Sequence, residues 1–513
     1  MFSNKEYSLR DLLGSEYMDQ ITGTAEKLLQ LTPEEAEALA SEKEYFWSED
    51  FHSAVCALSK QVGQSIINPF ESDNSGAPTD SFRKASKLSI APVGGLGCYR
   101  IGENGRVYMA SKSEHYHTPL GHNFPGYRLI TRARKLGILN ATHNNTRGYI
   151  TRLMERQLVA AANGLSPEDE KVHEILAVKA PKVLNRVINL ETGSLAVEAG
   201  IKMMLSRFYR LDITFEKPKY AGKIPVFFIM QDYNGGKEAN YHGTTVIAQT
   251  LRGMWPDYYE KLEKAGLYKV VPVAINDPAD FEAKIRQYNQ GEYKTAGFLH
   301  EIILMNYGGI RLQKAFLQKA YALCEKFDTP CMVDEIQSCM WYPGMFLFRL
   351  YELKPDFVIV GKGFPGGEYA ASKIITTGEM DSLNQFGALV TNGQEELASL
   401  SYMITMRFSW DNAEEIGCLG QLFEDGLCDL ATLYPQKIDK IEGSRHMAAI
   451  HFKTVEQVIA FNKEMNDAGF DVGAQLYKAN CPPAALMKMP IIACEEELRL
   501  VIEKIHKTID DMV

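Results

Sequence analysis

Residues 329–367, TPCMVDEIQSCMWYPGMFLFRLYELKPDFVIVGKGFPGG, decide how the rest of the chain is read. Two short apolar runs lie in this stretch, Cys331-Met332-Val333 and Phe357-Val358-Ile359-Val360. Short, continuous and apolar, each reads as a parallel strand buried on both faces. Each leads to a residue that is costly to bury: Asp334 after the first run, Lys362 after the second. The carboxyl ends of parallel strands are where α/β sheets bind ligands. A desolvated lysine placed there becomes a nucleophilic amine able to form a Schiff base. A carboxylate placed there can keep a pyridinium nitrogen protonated. Together they supply what pyridoxal phosphate (PLP) requires, an anchor for its aldehyde and a partner for its electron-sink ring. An Asp ending one strand and a Lys ending another is also common in α/β proteins, so the pair alone does not decide the cofactor.

The surroundings narrow the choice. DEIQ, a glycine-bearing loop and then DFVIVGKG resemble the class III aminotransferases of the fold-type I PLP-dependent enzymes. Their pattern is DE(V/I)Q, then PD, an apolar strand and GK. The resemblance implies an α/β fold: a large domain with a mainly parallel sheet flanked by helices, and a smaller α+β domain built from both chain ends. It also implies roles. Asp334 pairs with the pyridinium nitrogen, Gln337 sits near the ring oxygen, and Lys362 forms the Schiff base and moves the substrate proton. For that last task Lys362 needs a lowered pKa, which burial and neighbouring positive charge supply. The implied reaction is ping-pong transamination between a small-molecule amine and an oxo acid or aldehyde, at the interface of a homodimer.

Composition sets the broad class. A chain of 513 residues is too long for one simple core. Its net charge of −10 argues against nucleic acid or an anionic membrane as a partner. No apolar run reaches the length of a membrane span, and the first residues lack a targeting pattern. The nine cysteines are dispersed without metal-type spacing, which points to reduced thiols, a cytoplasmic protein and no metal site.

Taken in order, residues 1–95 read as a helical, acidic extension, with Thr32-Pro33-Glu34-Glu35 as a capped helix start and a polar loop at 71–81. Residues 96–145 open the small domain with a hairpin turning at Asn104-Gly105. The following loop, SKSEHYH, places Lys112, His115 and His117 as candidate substrate contacts, though the two histidines equally suit a surface loop. Residues 146–395 alternate helices and strands, as a large α/β domain does. A strand from 183 to 190 runs into Glu191-Thr192-Gly193-Ser194 and a helix to 210. This is an anion-binding turn, and Gly193 and Ser194 match the family's phosphate segment. A strand from 225 to 231 is followed by Tyr241-His242-Gly243, resembling the family's aromatic-His-Gly element, in which the ring stacks on the cofactor; a core aromatic is the plainer alternative. A strand from 297 to 304 carries Glu301, and Gly308-Gly309 completes a partial match to the family's E-P-(I/V)-x-G-x-G-G pattern. Near 391 the match weakens: Thr391, or Val390 one residue earlier, takes the place of the Thr that reaches the partner subunit's phosphate.

Residues 396–513 resemble the family's small C-terminal domain and depart from it most. Where many members carry an Arg that holds a substrate carboxylate, Glu442 stands, and Asn306 replaces the acid that partners that Arg. Arg445 is the nearest candidate replacement. The substrate is therefore either an amine without that carboxylate or one held by other groups such as Lys112. Two rival functions stay open: racemase, mutase, decarboxylase or phospho-lyase chemistry on the same scaffold, and a non-catalytic PLP-fold protein.

Overall fold

The structure is a computed structural model of the chain that describes residues 2–70, 72, 74–143, 145–476, 478 and 480–512. The apolar runs form one seven-stranded sheet. In chain order its strands are β1 (Leu184–Leu190), β2 (Ile224–Met230), β3 (Lys269–Val273), β4 (Tyr293–His300), β5 (Cys331–Asp334), β6 (Phe357–Val360) and β7 (Ser372–Thr377). Across the sheet the order is β1-β7-β6-β5-β4-β2-β3. β2 pairs in parallel with β3 and β4, and β5 with β4 and β6. Only β7 runs against its neighbours.

The side chains explain why the runs are continuously apolar. Val333, Val358, Val360 and Phe228 face one hydrophobic cluster, whereas Met332, Phe357, Ile359 and Phe227 face the other. Alternate residues of a strand point to opposite faces, and here both faces are covered. The helix Gly193–Leu205 lays Ala196, Val197, Ile201 and Met204 into the second cluster. β5 and β6 are adjacent and parallel, with Asp334 opposite Ile359, so Asp334 and Lys362 emerge at the same edge of the sheet.

β4 is shorter at its carboxyl end than the sequence pattern implied. It stops at His300, and Ile303–Leu304 folds back onto Ile310–Arg311 as a separate small ladder. Gly308 and Gly309, both at positive φ, make that reversal possible. Glu301 is thereby released from the strand and sits just past its end.

Both chain ends build the smaller layer. The strands Pro92–Leu96, Tyr99–Gly102 and Val107–Met109 form an antiparallel sheet, with Gly105 at φ +79° in the turn. A four-stranded antiparallel sheet near the C-terminus runs in the order Ile438–Ser444, Met447–Phe452, Ala484–Lys488, Gly473–Gln475. The two join where Met109 N–H donates to the Gly469 carbonyl (2.8 Å) and Asp471 N–H to the Met109 carbonyl (3.1 Å). The Thr32 capping box forms with Glu35 as its reciprocal partner. The polar stretch at 71–81 carries no regular structure among its described residues before Asp80; Glu71 and Asp73 lie outside the described residues.

One helix links the layers. Glu396–Asp411 packs along Tyr149–Ala162. Its first carboxylate caps that helix, accepting from Ile150 N–H (2.8 Å) and the Thr151 hydroxyl (2.9 Å). Asn412, with φ −124° and ψ 19°, then separates it from the helix Ala413–Leu433. Among the described residues no helix is long and apolar enough to cross a membrane.

Candidate active site

Lys362 follows β6 at φ +29°. The preceding Gly361 has no room for a side chain, because a Cβ there would lie 2.2 Å from Ser372 Oγ. The Lys362 amine donates to the His115 carbonyl (3.4 Å) and lies 5.6 Å from the Tyr116 ring centre. Burial lowers its pKa from the ordinary lysine value, and the carboxylates of Glu301 and Asp334 offset only part of that shift. A larger share of the amine is then neutral and nucleophilic near pH 7.

Asp334 closes β5 and is 4% exposed. Its Oδ1 accepts from Ile336 N–H (3.1 Å), and its Oδ2 lies 3.0 Å from His242 Nδ1. Glu301 is buried as well, and burial together with the Asp334 charge holds its carboxyl well above the usual range, hence protonated. Three buried polar atoms in this neighbourhood have no hydrogen-bond partner among the described residues: His242 Nε2, Gln337 Oε1 and Glu301 Oε2. Buried polar atoms are normally paired. Three orphans around one Lys and one Asp therefore mark a place built for a polar ligand, and their chemistry fits the substituted ring of PLP.

The phosphate end has its own cradle. Thr192 caps the helix Gly193–Leu205, leaving the Ser194 hydroxyl free of the capping task. Ser194 Oγ accepts from Thr244 N–H (3.0 Å). A Cβ on Gly243 (φ +108°) would sit 2.6 Å from Ser194 Oγ, and one on Gly193 would sit 2.7 Å from Ile336 Cδ1. The two glycines thus let the helix start, the Tyr241-His242-Gly243 triplet and the loop after Asp334 converge. Helix N–H groups with the Ser194 and Thr244 hydroxyls suit a phosphate. Tyr241 adjoins this cradle, with the Arg252 guanidinium 5.0 Å from its ring centre. Thr391 is exposed, and its neighbour Asn392 donates from its backbone to the Glu191 carboxylate (3.2 Å).

The mouth is charged but internally paired. Ser113, Glu114, His115 and Tyr116 all take positive φ, a left-handed turn laid across Lys362. Arg100 pairs with Glu114 and Asp471, Lys112 with Asp471 (3.0 Å), and His122 with Glu114 (3.0 Å). Burial and the Lys362 charge push the His115 imidazole down to about 4 and lower that of His117. Both rings are therefore neutral at pH 7. An 810 Å³ cleft is lined by Lys112, Glu114, His115, His117 and Gly367.

The fold does not bring Arg445 to this site. It sits at φ +56° in the turn after Ile438–Ser444, and its guanidinium donates to the Gly417 carbonyl (2.8 Å) on the helix Ala413–Leu433. Glu442 is likewise engaged elsewhere, accepting from Arg311 N–H (3.0 Å) and pairing with Lys440 (2.7 Å). Three residues that the sequence reading did not assign prove central. His242 fixes Asp334. Glu335, its carboxyl pushed up to about 7 by burial, gathers the loop after β5 by accepting from Leu347 and Phe348 N–H. Lys488 is fully buried; its amine donates to the Tyr116 (3.3 Å) and Gln337 carbonyls and lies 3.5 Å from the Trp341 ring centre. His242 had a local signal, being inside the triplet with Tyr241. Lys488 had none.

A mainly parallel sheet with one reversed strand, with half-buried Lys362 and buried Asp334 at one edge, is the architecture of a PLP-dependent enzyme of fold type I. The family model for class III aminotransferases matches residues 82–509, and the chain belongs to that family. It is 23% identical over 389 residues to the putrescine aminotransferase of Pectobacterium atrosepticum, covering 73% of this chain and 78% of that one. It is 30% identical over 212 residues to the ornithine aminotransferase of Halalkalibacterium halodurans, covering 41% of this chain and 46% of that one. The adenosylmethionine-8-amino-7-oxononanoate aminotransferase of Methanocaldococcus jannaschii superposes with a TM-score of 0.65 at 20% identity, over 89% of this chain and 100% of that one. The protein is accordingly a PLP-dependent transaminase.

Proposed function

We propose that the amino donor is a terminal primary amine on a flexible chain, of the diamine type, and that the enzyme works as a cytoplasmic homodimer. The observation that carries the donor class is the engagement of the cations. Glu442 stands where the family holds a substrate carboxylate, Arg445 is bound to Gly417, and Lys112 is already paired with Asp471. At these three positions a substrate carboxylate would have to displace an existing contact, whereas an uncharged or amine-ended tail would not. Putrescine, named for one relative, ends in a primary amine and carries no carboxylate. The exposed Thr391 loop supports the dimer, and nine cysteines all present as free thiols support a reducing compartment.

When bound, PLP supplies an aldehyde carbon and a ring that withdraws electrons. The chain's own groups do the rest. Asp334, oriented by His242, keeps the ring nitrogen protonated. Glu301, whose carboxyl burial and the Asp334 charge push up, would face a ring substituent as a proton donor. Ser194, Thr244 and the helix N-terminus would hold the phosphate, and Tyr241 would lie beside the ring. Lys362, its ammonium disfavoured by burial, takes the proton from the donor carbon and returns it to the acceptor side. Its place under the 113–116 turn limits water at that atom.

The test is a donor panel on the PLP-loaded enzyme, with 2-oxoglutarate and pyruvate as acceptors. Terminal diamines are expected to exceed chain-matched α-amino acids in kcat/KM by at least about tenfold, one polar contact's worth. Preference for an α-amino acid would overturn the donor assignment.

A further inference from the structure

A second cluster of reactive side chains lies outside the active site. His52 and Cys56 stand one turn apart on the helix Glu49–Ser59, which places them on one face. Cys494 caps the last helix, Glu495–Asp511, which packs against the first. The ligand atoms of His52, Cys56 and Cys494 lie within 4.8 Å of one another, and all three residues are half-exposed. The Trp47 ring lies 5.6 Å from the His52 ring and steadies it.

We propose that His52, Cys56 and Cys494 form a metal site for a borderline-soft dication of the zinc class, clamping the N-terminal extension to the last helix. The donor set decides the metal. Two thiolates and one imidazole select zinc-like ions over magnesium or calcium, which take oxygen ligands. Around a tetrahedral zinc, with bonds of about 2.0–2.3 Å, neighbouring ligand atoms are somewhat under about 4 Å apart. The three groups thus need only a small side-chain contraction. Half-exposure leaves the fourth position to water.

The surrounding field suits a cation. The Glu497 charge bears on both thiols and the Glu496 charge on Cys56, which Lys60 also faces. Glu497 is 1% exposed and accepts from Cys494 N–H (2.9 Å), which sets a buried acid beside that thiol. A dication is the group that would offset this buried carboxylate. Binding of the ion forms two metal–sulfur bonds and one metal–nitrogen bond, and releases both thiol protons to solvent. The helix Glu49–Ser59 precedes the segment matched by the family model, so the clamp joins this chain's own extension to the family fold.

The test uses the PLP-loaded enzyme, stripped with a chelator and titrated with Zn²⁺ or, separately, with Co²⁺, whose thiolate charge-transfer absorbance reports sulfur ligation. One Zn²⁺ per chain and a Co²⁺–thiolate band are expected. Both should weaken in Cys56→Ser, Cys494→Ser and His52→Ala, with affinity falling at least about tenfold. Transaminase activity should stay at the wild-type level. Serine is itself a favoured N-cap, so Cys494→Ser keeps the last helix capped; if it fails to fold, Cys56→Ser and His52→Ala carry the test. No tight Zn²⁺ uptake, a band that survives the cysteine substitutions, or a Cys56–Cys494 disulfide in the protein as purified would each overturn the proposal.

Discussion

Lys362, half-buried just past β6, and Lys373, buried within β7, differ in what burial achieves. At Lys362 the lowered proton affinity makes a nucleophile. Lys362→Ala should lose turnover by at least about 10³-fold, the scale of a missing proton-transfer group, with the protein still folded by circular dichroism. Unchanged turnover would remove Lys362 from the mechanism. Lys373 is 1% exposed, and its amine donates to the Gly393 carbonyl (3.3 Å) and lies 5.4 Å from the Tyr402 ring centre. Burial pulls its pKa from 10.5 to about 8. Between those values the unfolded chain binds more protons, so wild-type stability rises with pH across that window; below pH 8 the full penalty applies. Lys373→Met should therefore stabilise the protein most at pH 7, by up to about 3 kcal/mol less the lost hydrogen bond, and progressively less toward pH 10.5. Equal denaturation midpoints for variant and wild type at both pH values would show that the amine is not buried as a charge. The positions of Asp334 and Lys362 at one edge of the sheet were legible in the sequence because each follows a short apolar run that forms a strand. Lys488 was not, because its role exists only once the C-terminal strand Ala484–Lys488 has been laid against Tyr116 and Gln337. Arg445 misled because one left-handed residue in a tight turn decides which way its guanidinium points.

Among the elements, the left-handed turn from Ser113 to Tyr116 is the most strained. Each non-glycine residue there costs about 1–2 kcal/mol relative to the right-handed form. The Arg100–Glu114 pair, the Ser113 hydroxyl bonded to the Lys488 carbonyl, and Lys362 on the His115 carbonyl hold it in place. His115→Gly removes a Cβ from such a position and keeps the carbonyl. It should raise the unfolding free energy by about 1 kcal/mol, read by denaturant titration; a loss of stability would mean that the imidazole itself anchors the turn. The strands and helices were largely legible, since period-two burial on two covered faces leaves continuous apolar runs. The early end of β4 was not, because Ile303–Leu304 continues the apolar pattern and only the Gly308-Gly309 reversal sends it to another partner.

At the level of the whole molecule, the Thr391 loop lies beside the Glu191 turn and is open to solvent, as a loop serving a second subunit would be. Mass measurement in solution should give a dimer, and Thr391→Ala should weaken PLP retention by about 1–2 kcal/mol, one charge-assisted hydrogen bond, read by dialysis and residual absorbance. A monomer that binds PLP tightly would refute the shared-site arrangement. The two-layer plan followed from the order of motifs along the chain, but the division between layers did not, because packing rather than sequence position assigns the helix Glu396–Asp411. With Glu396 locked onto the start of Tyr149–Ala162, that helix moves as one body with the seven-stranded sheet. Asn412 is where the chain next leaves helical geometry, and the N-terminus is fastened there: Ser3 N–H donates to Asn412 Oδ1 (2.6 Å), and Lys5 and Tyr7 reach Asp411. In mechanical terms the junction at Asn412 is a pinned joint, and the first residues of the chain are the pin: deleting them would leave the two helices coupled through Asn412 alone.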